Sequence, residues 1–374
     1  MRYLKGTYKP SSSKLGAGKI IGRVLLCVFT ALILIIIAVY SSLYVVVNGE
    51  CKPLRERLVL SATQASATKW LPSLFMPQSE VDAIIEKSYE VTTDTLTLDE
   101  YLASKEEEAN IVEDKWANAI DGMIFEKITG STFTGYVLLV RDPSRVYVGT
   151  SSNYKQGLPG AKIFDMAKKE NAIALINAGE FADIGGQGNG ANPMGLTYSK
   201  GECVWDDGLK RTFIGFDEND KLIVTEPMTR EEADNLKIRD AVSFQNGNTL
   251  ITSENGEVIF HYSDANTGTA QRTSIGQCAD GTVILLVTDG RSASSLGATK
   301  NDVIDVMVKY GAVTAGLLDG GSSSLMYYED YYNKYHVDTE NLDKYQKDGL
   351  VNSYKAFTPP RRLPTYICVA KEAE

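Results

Sequence analysis

From Val24 to Val47 the chain reads VLLCVFTALILIIIAVYSSLYVVV, with no charge at any position, whereas beyond it apolar residues come in short runs broken by turn-forming ones. At about 1.5 Å per residue a helix over this stretch covers a bilayer core of about 30 Å, which predicts one transmembrane helix at 24–47. After Pro53, LRERLVLSATQASATKWLPSLFMPQSEVDAIIEKS is mostly helical in pattern, with a break around Pro72 and Pro77, and the acidic run Glu106 to Glu108 follows. Residues 48–110 are therefore expected to form a helical stalk and linker.

From about Ile124 the pattern shifts to β-rich runs. TGYVLLVRDPSRVYVGT predicts two strands around Asp142 and Pro143, and TFIGFDENDKLIVTE two more around Asn219 and Asp220. TSIGQCADGTVILLVTDG predicts a hairpin turning at Ala279, Asp280 and Gly281, whose second arm is a continuous apolar run of the kind found in central strands. One helix is clear: Thr299 caps it, Asp302 sits near its positive end, Val303, Ile304, Met307 and Val308 form an apolar face, and Gly311 ends it. AVTAGLL then returns to the sheet. The expected fold class is α+β, a mixed, largely antiparallel β-sheet core with flanking helices, filling residues 111–374 as a single domain.

Charge orients this arrangement. Arg2, Lys5, Lys9, Lys14, Lys19 and Arg23 meet no acidic residue before Glu50, so 1–23 is a basic tail, and the remainder carries 32 basic against 48 acidic residues. The positive-inside rule places the tail in the cytoplasm and the acidic domain outside, as a single-pass protein of the cell membrane held in the bilayer by 24–47. A cleaved signal peptide is the rival, but its apolar region is usually shorter, about 7 to 15 residues, and ends at a small-residue cleavage site. An acidic domain is a poor partner for nucleic acid. Cys27, Cys51, Cys203, Cys278 and Cys368 show no Cys-x-x-Cys spacing, so neither a disulfide framework nor a zinc site follows.

Three strand ends carry polar groups. In AIALINAGEFADIGGQGNGANPMG an apolar strand runs into Asn177, with Gly179 and Glu180 just beyond. Gly186, Gly188 and Ala191 fit a loose dinucleotide-binding pattern there, but Pro193 and a strand-like segment follow where that site needs a helix. QRTSIG and VTDGR place Arg272 and the pair Asp289 and Arg291 at the two ends of one hairpin, where guanidiniums and a carboxylate can meet as an anion clamp or as an ordinary ion pair. In GLLDGGSSSLMYY, Asp319 ends a strand, and Gly320 and Gly321 allow a turn whose N–H groups can cradle an anion, beside Ser322. A serine nucleophile there lacks a base, since the two histidines, His261 and His336, lie outside these motifs. The same scarcity argues against a histidine-rich metal centre. No cofactor is required, and a divalent cation such as calcium, held by carboxylates and carbonyls, stays open.

Together INAGEF, NGANPMGLTYSKGE, QRTSIG, VTDGRSASSLGATKNDVIDVMVKYGAVTAGLLDGGSSSLMYY and RRLPTYICV, in this order across roughly Asp121 to Val369, resemble the phosphodiester glycosidase family, and the stalk resembles its membrane-anchored bacterial branch. Bacterial relatives are often described as exopolysaccharide or cell-envelope proteins. The resemblance implies hydrolysis of a sugar-1-phosphodiester in a phosphate-linked glycan. Arg272, Arg291, Asp289 and Asp319 would then be catalytic, and Asn177, Gly179, Gly320, Gly321 and Ser322 would bind substrate. Glu180 stands where relatives usually carry glycine or an aromatic residue, so it is expected to shape the pocket floor or substrate choice. The chemistry fits, because a phosphate monoester leaves easily and charge stabilisation outweighs protonation. Two other readings use the same residues: a non-catalytic module holding anionic glycans, and a transferase passing the sugar to another polymer.

Overall fold

The computed structural model describes residues 17–63, 68–88, 90–108, 115–152, 154, 158–183, 188–263, 268–290, 292, 295–338, 340, 342–354 and 359–372. The uncharged stretch lies within one helix, Ala17–Asn48, long and apolar enough to cross a membrane. It belongs to the unit Met1–Arg55; a second unit, Glu56–Glu374, holds everything else, and the division falls inside the helix Lys52–Thr63.

Three sheets build the second unit. The largest has eight strands, β1 (Val91–Thr97), β2 (Met123–Thr129), β3 (Thr134–Val140), β11 (Thr249–Glu254), β12 (Glu257–Ser263), β13 (Thr273–Cys278), β14 (Val283–Thr288) and β15 (Ala312–Leu318), in the order β1-β12-β11-β15-β13-β14-β3-β2. The second contains β4 (Val146–Thr150), β5 (Ala172–Asn177), β16 (Met326–Tyr328) and β17 (Thr365–Ala370), in the order β16-β5-β17-β4. The third contains β6 (Thr197–Ser199), β7 (Glu202–Trp205), β8 (Thr212–Asp217), β9 (Leu222–Thr225) and β10 (Ile238–Phe244), in the order β7-β6-β10-β8-β9. Pairings between the described strands are antiparallel throughout, so the expected α+β fold with a largely antiparallel core is the one that forms.

The hydrophobic pattern explains the layering. All six residues of β14 are buried, as its unbroken apolar run required. Val283, Leu285 and Val287 join Ile214, Phe216, Ile176 and Ile367 in a core between the large sheet and the two small ones. Ile284 and Leu286, one position out of phase, face a second core with Val303, Ile304 and Met307 of the helix Lys300–Lys309. That helix begins with a capping box between Thr299 and Asp302, and Gly311 follows it at φ +83°. Full burial of each of these aliphatic side chains contributes roughly 1.5–3 kcal/mol, which holds the helix where its first residue meets the site.

Two features depart from a plain reading of the pattern. The strands on either side of Pro143 do not pair with each other, for β3 enters the large sheet and β4 the four-stranded one. Val91–Thr97, inside the stretch expected to be helical stalk, is an edge strand paired residue for residue with β12. The rest of that stretch is helical at Lys52–Thr63, Gln78–Lys87 and Leu98–Glu108. The cysteines are free.

Candidate active site

Four of the expected residues share one cavity. Arg272, Asp319, Gly320 and Gly321 line a space of about 420 Å³, together with Lys300, Phe244, Gln245 and Asn248. Leu60 and Thr63 of the helix Lys52–Thr63, and Ile85 and Ser88 at the end of the helix Gln78–Lys87, form another part of its wall. Ser61 Oγ accepts from the Thr269 N–H at 3.0 Å and thereby ties the helix Lys52–Thr63 to the segment just before Arg272.

The register of the central strands sets this arrangement. Thr273 pairs with Leu318 on one side and Val287 on the other, so the starting end of β13 lies between the finishing ends of β15 and β14. The Thr288 N–H donates to Arg272 O at 2.8 Å, and the Arg272 N–H donates to Thr288 Oγ1 at 2.9 Å. Arg272 is therefore opposite Thr288, not Asp289. Its guanidinium turns toward the helical face, donating from Nε to Ala298 O (3.2 Å) and from Nη2 to Gly268 O (2.7 Å).

Asp289, one residue further, points the other way. Its carboxylate accepts from Tyr136 OH at 3.0 Å and from the Ser353 N–H at 2.8 Å, and it is not on the cavity wall. Burial raises its pKa, while the hydrogen bonds from Ser353 and Tyr136 and the Lys127 charge pull the other way. The same burial, with the neighbouring Asp289 charge, pushes the Tyr136 hydroxyl far up. Arg291 lies outside the described residues.

Asp319 is recessed at the cavity, and burial raises its pKa from 3.8 to about 7, against the opposing pull of a Ser323 hydrogen bond, the Arg361 charge and the Gly320 N–H, and with a further push from the negative charge of Glu180. A carboxyl group with that affinity exchanges its proton near neutrality, as acid and base catalysts do. Asn177 fixes its backbone. The amide donates to Asp319 O at 2.5 Å and accepts from Thr273 Oγ1 (2.7 Å) and the Leu325 N–H (3.0 Å), bridging β5, β13 and the turn after β15.

The glycines after Asp319 serve close approach and a turn. A Cβ on Gly320 would stand 2.9 Å from Gln271 O, and Gly321 has φ +61°. The Gly321 N–H donates to Gln271 O, and those of Ser323 and Ser324 to Gly320 O and Gly321 O, so these groups close the turn. Gly179 is equally constrained, since a Cβ there would meet Ser243 O at 2.9 Å. Ser322 accepts at Oγ from Arg361 (3.2 Å) and at its carbonyl from Tyr354 OH (2.9 Å).

Glu180 stands in a neighbouring open cleft of about 510 Å³ with Arg211, Gln245, Asn246 and Gly247. Its Oε2 accepts from Arg211 Nε at 2.7 Å and its Oε1 from Gln245 Nε2 at 3.4 Å. Gln245 and Gly247 line both spaces.

The motifs left three participants unmarked. Lys300 reads as an ordinary helix-start charge, yet it is 6% exposed and its Nζ donates to Gly247 O at 2.8 Å. Arg361, within the RRLPTYICV segment, bonds Ser322, pairs with Asp183 at 2.8 Å and acts on the Asp319 carboxyl. Ser323, in the turn after Asp319, hydrogen-bonds that same carboxyl. His261 bonds Thr252 at 3.0 Å within the large sheet. No group of three or more His, Cys, Asp or Glu residues suited to a metal ion occurs among the described residues.

Comparison with known proteins adds a family to this geometry. SPbeta prophage-derived uncharacterized protein YomE of Bacillus subtilis (strain 168) is 28% identical over 231 residues, 57% of this chain, and the chain spans about a third (32%) of that relative's length. Among solved structures, the zebrafish N-acetylglucosamine-1-phosphodiester alpha-N-acetylglucosaminidase catalytic domain, described as auto-inhibited by its pro-peptide, is similar at 17% identity and a TM-score of 0.48, over 75% of this chain and 88% of that one. A putative exported protein of Burkholderia pseudomallei K96243 is similar at 14% identity and a TM-score of 0.43, over 78% and 88% of the two chains. The family model described as phosphodiester glycosidase matches residues 170–370, more than half of the chain and a range containing Asn177, Arg272 and Asp319. The chain belongs to the phosphodiester glycosidase family.

Proposed function

We propose that this protein is a membrane-anchored extracytoplasmic glycosidase that hydrolyses a sugar-1-phosphodiester linkage in an envelope or exopolysaccharide glycan. The observation that carries the reading is that Arg272 and Asp319, both within the range the family model matches, line one cavity. The Ala17–Asn48 helix, preceded by a basic tail and followed by an acidic chain, supports the anchor and its orientation.

In this reading Arg272, with Arg291, neutralises the phosphate. Asp319 works at the anomeric carbon as base or nucleophile in its ionised form, made more basic by burial. Asp289, held by hydrogen bonds from Tyr136 and Ser353, braces the end of β14 and is the second carboxylate to test. The test is release of a phosphate monoester from a sugar-1-phosphodiester by the full chain in detergent. Asp319→Asn is expected to abolish turnover, Arg272→Ala to raise KM, and Asp289→Asn to act mainly through stability. Unchanged turnover in all three variants would sink the assignment.

The cleft beside Glu180, which shares Gln245 and Gly247 with the cavity, favours a second reading in which an acceptor sugar replaces water. Product analysis with an added glycan acceptor separates transfer from hydrolysis.

A further inference from the structure

Lys300 is a cation in a place that opposes cations. It occupies the first position of the helix Lys300–Lys309, where the helix dipole disfavours positive charge. It is buried, and it lines the same cavity as Arg272. Burial first, and then the Arg272 charge, lowers its pKa to about 8, with Glu226 pulling the other way. His261 of β12, whose own pKa the lysine helps to depress, also bears on it, and Asp319 lines the same cavity. The hydrogen bond from Nζ to Gly247 O holds the ammonium at the boundary between the cavity and the Glu180 cleft, because Gly247 lines both. Two cations brought into one cavity repel each other, and an anion between them reverses that repulsion.

We propose that Lys300 and Arg272 together form the anion-binding wall of the cavity, and that the ligand they take is a phosphate-type group. This rests on the reading of the cavity as a sugar-phosphodiester site and names the residues that hold its anionic end. Arginine supplies a fixed, permanently charged fork, and the lysine a titratable point charge. The wall is therefore strongest below the lysine's pKa and weakens as pH rises through it.

The test measures inorganic phosphate binding by calorimetry on the full chain in detergent, for wild type, Lys300→Met and Lys300→Arg. Loss of the ammonium is expected to weaken phosphate binding roughly tenfold or more, while the arginine variant stays within about threefold. Wild-type affinity should fall from about pH 8 upward, where phosphate no longer changes its own charge, and the arginine variant should stay flat over that range. In turnover the methionine variant should raise KM for the phosphodiester with little change in kcat.

Equal phosphate affinity in wild type and a folded methionine variant would overturn the proposal. A wild-type affinity that does not fall above about pH 8 would overturn it without any variant. Lysine-dependent phosphate binding without phosphodiester hydrolysis would uphold this wall and remove the glycosidase reading. Hydrolysis whose KM is indifferent to Lys300 would do the reverse.

Discussion

Asp319→Asn should make the protein more stable and inactive, and the gain in stability should depend on pH. Asp319 has a folded pKa of about 7 against an ordinary 3.8, because burial disfavours the charged form. A raised folded value means that the native state holds its proton more tightly than the unfolded chain. The associated stability is fully present below 3.8 and is lost as pH rises through about 7. At ~1.4 kcal/mol per tenfold change in proton affinity, the full difference approaches roughly 4 kcal/mol, and about 3 kcal/mol of it falls between about pH 4.5 and pH 8. Asparagine is neutral at every pH and escapes that loss. Urea unfolding of wild type and variant at those two pH values should show their difference widening by about 2–3 kcal/mol at the higher pH, once relaxation around an ionised group is allowed for. The wild-type kcat/KM should rise through about pH 7 as the carboxylate forms. A stability difference that stays constant between the two pH values would refute the reasoning, whatever the activity.

Three further substitutions probe the surroundings of that carboxyl. Glu180→Gln removes a negative charge that raises the Asp319 pKa and leaves Arg211 unpaired, so the pH midpoint of kcat/KM should move down, as a pH–rate profile would show. Tyr136→Phe takes one donor from buried Asp289 and should cost about 1–3 kcal/mol near neutral pH. The loss should shrink in acid, where the carboxyl is protonated, and unfolding at both pH values checks this. Gly321→Ala has open space around the new methyl but must hold φ +61°, so the backbone alone should cost roughly 1–2 kcal/mol in denaturant unfolding.

Elements that carry their own local chemistry are legible in the sequence. The turn at Ala279 to Gly281, the buried run of β14 and the capping box at Thr299 are each specified within a few residues, and each forms where the pattern puts it. β1 is not legible in this way, because VTTDTLT is exposed along its whole length and its strand pairing is with β12, more than a hundred and fifty positions away. Local pattern contains no information about such a partner.

The site is half legible for the same reason. A hairpin guarantees that the ends of its arms meet, and Arg272 and Asp289 do stand at neighbouring strand ends. Which side chains share a face depends on the register to a single residue, and the register here pairs Arg272 with Thr288. That one-residue offset sends the guanidinium toward Ala298 and the helical layer, and the Asp289 carboxylate toward Tyr136 and the opposite core. The groups that instead share the arginine's cavity, Lys300 from a helix start and Asp319 from the end of β15, reach it from separate elements. Lys300 looks ordinary in its own sequence neighbourhood, a solvated charge at a helix start, whereas Asp319 is marked there by the glycines and serines that follow it. Only the antiparallel order β15-β13-β14, with the helix packed across it, makes them one site. The same order explains why residues from before β1 line that cavity: β1 adds a strand beyond β12, and the helices preceding it carry Leu60, Thr63, Ile85 and Ser88 to the wall that Arg272 lines. A segment that the sequence suggests is only a tether is therefore part of the cavity wall, and changes made in it should be read as changes to that cavity.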